Sequence, residues 1–158
     1  MIGTSRTERE RRSERQSDAL FHELIDLATA ELCGAAPAHA ARRQRASRWF
    51  AHTDLRALAD SAVGGGGGTG RAIAGVLDRP HPDLVSIARS FRHLQEARHK
   101  ADYDHDYDLS RRSALLLIEE AADAITRLRG LRGDGDPSVR LFLRLMVGAV
   151  RIAKSRAP

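Results

Sequence analysis

Cysteine is all but missing from this chain: Cys33 stands alone among 158 residues, which excludes an internal disulfide and points to a reducing compartment. Aromatic residues make up only 4 % of the sequence, and no stretch alternates apolar with polar residues as a half-buried strand requires, so strands are not expected. Long apolar runs are absent as well. The longest, Leu141 to Val150, is interrupted by Arg144 and is too short to span a bilayer. Nothing at the start reads as a basic segment, an apolar core and a small-residue cleavage site in succession. The expectation is a cytoplasmic protein with no signal peptide and no membrane segment. Lysine is scarce too, limited to Lys100 and Lys154, so arginine supplies almost all of the positive charge.

What is present is arginine, alanine, glycine and a helical period. The formal charge is +5 and the pI about 10.3, a balance that suits a polyanionic partner but is also what a GC-rich coding sequence yields by default. Residues 1–16 form a charged leader in which Arg and Glu alternate (Arg6, Glu8, Arg9, Glu10, Arg11, Arg12, Glu14, Arg15). Residues 17–155 read as one helical domain, with a glycine-rich linker at 64–70 inside it. Leu20, Phe21, Leu24, Leu27, Ala28 and Leu32 mark the first amphipathic helix, which ends at Cys33-Gly34. A second is predicted over about 37–63, burying Trp49, Phe50, Leu55, Leu58 and Ala59 and turning Arg42, Arg43, Arg45 and Arg48 outward. A short helix at 71–77 leads to Pro80-His81-Pro82-Asp83, where Asp83 is the expected N-cap of a helix over 83–102. The next, over 110–129, follows a cap at Asp108 or Ser110 and buries Ala114, Ile118, Ala121, Ile125 and Leu128; Gly130, Gly133 and Gly135 end it. Asp136-Pro137 supplies an N-cap and an N1 proline for a last helix, to about residue 153, that is apolar nearly all round. The fold class is all-α, an up-and-down bundle of four to five helices.

Few motifs carry chemistry. The glycine run at 64–68 lacks both the preceding strand and the following Lys-Ser or Lys-Thr of a phosphate loop, so a linker is the simpler reading. Asp102, Asp104, His105, Asp106 and Asp108 crowd one connector, yet Tyr107 stands where a calcium loop needs glycine and Ser113 where it needs glutamate. No metal site and no cofactor is expected. His22 reads as a groove-facing histidine with its polar needs satisfied. Arg98 is different: Leu84, Ile87, Phe91 and Leu94 form one stripe, and Arg98 is its next position. A guanidinium there needs a partner or a task. In metal-free RNA cleavage a histidine such as His105 takes the 2′-OH proton or protonates the leaving 5′ oxygen, while a guanidinium holds the phosphate oxygens. The competing reading pairs Arg98 with Asp102 or Asp104 at a helix end and leaves His105 merely exposed.

Arg98-His99 followed by His105, with His105-Asp106-Tyr107 after it, resembles the signature of HEPN domains, a family of small α-helical bundles. Ala19-Leu20-Phe21-His22 and the run Leu94-Gln95-Glu96-Ala97-Arg98-His99-Lys100-Ala101-Asp102-Tyr103-Asp104 are similar to an uncharacterised bacterial branch of that family. In that branch proline commonly stands where this chain has His105, and relatives look aromatic where it has Ser17-Asp18. The resemblance covers roughly residues 15–130. It implies a homodimer whose paired motifs form one basic cleft, and metal-independent endoribonuclease activity of the kind found in toxins that a minimal nucleotidyltransferase antitoxin neutralises. On that pattern Arg98 and His105 are the catalytic pair, and His99, Asp102, Tyr103 and Tyr107 are binding residues. A HEPN module that binds nucleic acid, nucleotide or a protein partner without catalysis is the alternative.

Overall fold

A computed structural model describes residues 3–65, 67–103 and 110–155. Among them are eight α-helices, one 3-10 turn (Pro37–His39) and no strand. The helices are α1 (Gly3–Cys33), α2 (Ala40–Ser47), α3 (His52–Ala62), α4 (Gly68–Leu77), α5 (Pro82–Tyr103), α6 (Arg111–Asp134), α7 (Pro137–Leu145) and α8 (Ala149–Ser155). The all-α bundle is as the apolar periodicity implies. None of these helices is long and apolar enough to cross a membrane.

The long helices α1, α5 and α6 pack on one another, α3 closes the remaining side of α5, and the short helices cover the ends. Leu20 and Leu24 of α1, Leu58 of α3, Leu84, Ile87, Phe91 and Leu94 of α5, Leu128 of α6 and Phe142 of α7 are almost completely shielded from solvent. The α5 stripe ends differently from its extrapolation. Ala97 takes the buried place after Leu94, and Arg98 lies at the rim with its side chain 35 % exposed. A step of three instead of four keeps the charged head out of the core.

Helix boundaries depart from the sequence reading at four places, each with a local cause. The helix expected over 37–63 is split at 48–51. Trp49 N–H donates to the Ala46 carbonyl in a tight turn, and α3 restarts after the extended Ala51. Ala46 stays buried and Phe50 packs on the core, but Trp49 is 64 % exposed and not a core residue. α5 begins at Pro82, and its cap is His81, whose Nδ1 accepts from the Asp83 N–H at 3.1 Å; Asp83 is already inside the first turn. α6 runs through Gly130 and Gly133, burying Leu131, and stops where Gly135 adopts φ +68°. The Gly135 and Asp136 N–H groups then close back on the Arg132 and Leu131 carbonyls, a left-handed end that glycine makes without strain. The inner face of α6 is completed by Leu117 and Ala124, with Ile118 and Ile125 only partly buried. The last expected helix is broken between Met146 and Gly148, where φ is +84°. Ser110 and Asp136 cap α6 and α7 by accepting from Ser113 N–H and from the Ser138 and Val139 N–H groups. The charged leader continues α1 as helix from Gly3.

Phe91, 1 % exposed at the meeting point of these helices, tests the packing. Phe91→Ala is expected to lower unfolding free energy by about 3–5 kcal/mol, measured by urea denaturation. A loss below about 1 kcal/mol would contradict its place in the core.

Candidate functional site

Three helices bring polar side chains to one end of α5. Alternating burial along α1 places Leu20 and Phe21 in the core, while Asp18 and His22 remain at the edge of the same turn. α3 begins at His52, so that ring lies at the open end of its helix. The last two turns of α5 contribute Gln95, Arg98, His99, Asp102 and Tyr103. His52, Gln95, Arg98, His99, Asp102 and Tyr103 line an open groove of ≈ 320 Å³.

His52 is the most constrained group in it. The buried Phe21 ring stacks beneath the imidazole, with centroids 3.4 Å apart and planes 19° from parallel. The Gln95 amide nitrogen is 2.9 Å from Nδ1, so Nδ1 accepts with the amide in this orientation and the ring proton resides on Nε2. Nε2 lies 4.0 Å from Asp18 Oδ1. Burial holds the imidazole below the usual histidine range. Asp18 opposes that shift, and the charges of Arg98 and His22 add to it.

Arg98 is held by two carboxylates. Its Nη1 donates to Asp18 Oδ1 at 2.6 Å, and its Nε is 3.7 Å from Asp102 Oδ2, one turn along α5. The pairing with Asp102 agrees with one of the two sequence readings. The stronger contact, to Asp18 across α1, was not anticipated. Beside them the His99 and Tyr103 rings meet at 4.7 Å and 43°, and Tyr103 is 74 % exposed. Tyr103 therefore presents a largely bare aromatic surface next to a guanidinium.

Of the residues expected from the sequence, Arg98, His99, Asp102 and Tyr103 share this groove. His105 and Tyr107 lie outside the described residues, as does Asp104. Asp18, His52 and Gln95 were missed. A faint signal existed for Asp18, since it precedes Phe21 and His22 by three and four residues and so shares their helix face. His52 carried none, because its position depends on where the 37–63 segment breaks. Among the described residues no three of His, Cys, Asp and Glu are placed to hold a metal ion. A second cavity, ≈ 350 Å³ between α1, α6 and α7, is walled by Leu27, Val139 and Leu143, and its Glu31 is already paired with Arg140 and Arg144.

Comparison of the chain with protein-family models, with characterised proteins and with solved structures gave no match. The chemistry of the groove has to be judged from its own residues. These provide a guanidinium, an imidazole held below the usual histidine range by burial, an amide and a bare phenol ring in one open depression. That set can hold an anionic oxygen, accept or deliver a proton, and stack against a flat ring.

The His52 environment is testable by NMR titration of its ring protons. The midpoint is expected below the ordinary value of about 6.5. Because the native state then binds fewer protons than the unfolded chain, stability contributed here is present above about 6.5 and falls as pH drops towards the depressed midpoint. Asp18→Asn should move the midpoint further down and Arg98→Ala should move it up; a midpoint at or above 6.5 in the native protein would refute the arrangement.

Proposed function

We propose that the groove binds an RNA phosphodiester and that the protein is a HEPN-like, metal-independent endoribonuclease acting as a homodimer. The observation that carries this reading is the convergence of Arg98 and His52 in one solvent-open groove, with Gln95, His99 and Tyr103 around them. In the reaction the 2′-OH oxygen attacks phosphorus as its proton passes to a neutral imidazole. The bond to the 5′ oxygen breaks, and that oxygen takes a proton as it leaves. The products are a 2′,3′-cyclic phosphate and a 5′-OH. Arg98 would hold the non-bridging oxygens and the charge that builds on them. His52 is the imidazole that the groove sets beside Arg98 and would bind or orient the strand, while the HEPN resemblance assigns the proton transfers to His105 and to Tyr107 the position that a nucleotidyltransferase antitoxin would modify.

Asp18 favours a second reading. Its 2.6 Å contact occupies the guanidinium that a phosphate would need, so RNA must displace a carboxylate already in place. That competition suits a module that binds RNA reversibly without cleaving it.

Incubation of purified protein with RNA in EDTA separates the two. Cleavage is expected to persist in EDTA and to fall by about 10²–10³-fold in Arg98→Ala, as for loss of a group stabilising transition-state charge. His105→Ala should cost about 10²–10⁴-fold. Salt-sensitive binding with no cleavage would leave the binding module, and full cleavage in both variants would exclude the assigned pair.

A further inference from the structure

We propose that α2 and Trp49 form a second surface for single-stranded RNA, in which arginines hold the backbone and the indole stacks on a base. The proposal extends the RNA reading of the groove, but it rests on different observations. From Leu32 to Thr53 the chain carries no acidic residue, while Arg42, Arg43, Arg45 and Arg48 fall within it. The four arginines are not equivalent. Arg43 turns inward and donates through Nη1 to the Gly34 and Ala36 carbonyls, both at 2.8 Å, which fastens α2 to the end of α1. Arg42, Arg45 and Arg48 are exposed and make no ion pair among the described residues. The acids that bound the stretch are both taken, Asp54 by Arg151 at 2.9 Å and Glu31 by Arg140 and Arg144.

Exposed arginines elsewhere are of two kinds: Arg71, Arg79, Arg89, Arg111 and Arg112 make no ion pair among the described residues either, whereas others are neutralised. Arg127 is paired with Asp83 and Asp123, Arg129 with Glu23, and Arg140 and Arg144 with Glu31. What sets the α2 strip apart is density: three unpaired arginines within seven residues, in a stretch with no acid, and charge complementarity there selects a polyanion.

Trp49 selects which polyanion. It is the chain's only tryptophan, comes one turn beyond Arg45, and is 64 % exposed while its neighbours Ala46 and Phe50 pack inward. A flat, bare ring among unpaired guanidinium groups is the combination that single-stranded nucleic acids use: charge for phosphates and a π-face for an unpaired base. A duplex hides its base faces, and an acidic peptide has none to stack. Trp49 is also three residues from His52, so the two Cα atoms are at most about 11 Å apart along the chain. A strand seated in the groove could therefore continue onto α2.

Because Trp49 is the only tryptophan, its fluorescence reports on the surface directly. The probe is a 2′-O-methylated oligouridylate, which lacks the nucleophile for cleavage. It is expected to quench Trp49 emission saturably in the full chain, whereas inorganic polyphosphate is expected to bind without quenching. By fluorescence anisotropy of the labelled probe, Trp49→Ala should weaken binding by roughly 5- to 150-fold, as for loss of one stacked base. Trp49→Phe should restore most of it. Replacing Arg42, Arg45 and Arg48 together by alanine should reduce the slope of log affinity against log salt by about 2. All these side chains are exposed, and unchanged far-UV circular dichroism would confirm that the variants fold. Quenching that persists in Arg98→Ala while cleavage is lost supports the surface as separate from the groove. Quenching by the native chain with no ribonuclease activity leaves the surface standing and removes the catalytic reading. The proposal is overturned if oligouridylate leaves the emission unchanged and binds the alanine variants as well as the native chain, or if a polyglutamate quenches as strongly.

Discussion

Burial of α5 on three sides, by α1, α3 and α6, is the constraint around which this molecule is arranged. Leu84, Ile87, Phe91 and Leu94 can be shielded so completely only if each neighbouring helix aligns its own apolar stripe with them. The shielding stops after Ala97, because α1 has turned polar by Asp18 and α3 begins only at His52. All three helices therefore change from apolar to polar at the same level of the bundle. The groove is the result. A part-buried guanidinium at that level needs compensation, and a carboxylate from α1 supplies it. The same contact ties α5 to α1 at the edge of the core.

The energetics of that ion pair differ from those of the pairs on the outer surface. Exposed pairs such as Arg127 with Asp123, one turn apart on α6, are screened by water and contribute little. Arg98 and Asp18 are roughly two-thirds shielded and come from different helices, so they hold tertiary geometry rather than decorate one helix. The price of this placement is functional. A guanidinium already paired binds an incoming phosphate only by exchanging one anion for another, and the exchange is weaker in water than its gross contact would suggest. The neighbouring His52 is poised in a related way. Burial against Phe21, with the charges of Arg98 and His22, favours its neutral form, yet Asp18 is near enough to help a proton settle there.

Much of the fold was legible in the sequence because it rests on periodicity. The stripes of α1 and α5, the Asp136-Pro137 start of α7 and the Ser110 cap of α6 each follow from residue types at fixed spacing. The errors share one cause: turns whose geometry depends on tertiary packing. A glycine in a helical register, such as Gly130, does not end the helix unless the chain beyond it can turn away, which happens only at Gly135. Trp49 reads as a core residue for its hydrophobicity, yet at 100° per residue it lies about 180° from Leu58 even on a continuous helix, and the turn at 48–49 leaves it in solvent. The same break creates the N-terminus at which His52 is placed, so the sequence that concealed Trp49's exposure also concealed the histidine of the groove. Arg98 is singled out by the α5 stripe and His99, Asp102 and Tyr103 by the family resemblance; that the four share one groove follows from their lying on one uninterrupted helix.

Net charge was the least decisive number in the sequence, and its distribution changes what it means. A formal +5 spread evenly would be compatible with nothing more than a biased codon supply. The arrangement is uneven. Glu23, Glu31, Asp54, Asp60 and Asp83 each sit against arginines of other helices and cancel charge along α5, α6, α7 and α8. Arg129 even draws the Glu23 carboxyl below its ordinary range. No acid is assigned to Arg42, Arg45 or Arg48, and the chain for ten residues and more on either side of Arg42 offers none. Codon bias explains why the basic residues are arginines, but it does not by itself explain a stretch from Leu32 to Thr53 that holds four arginines, no acid and the exposed Trp49. That local density of positive charge beside a bare indole is the feature on which the proposed polyanion surface rests.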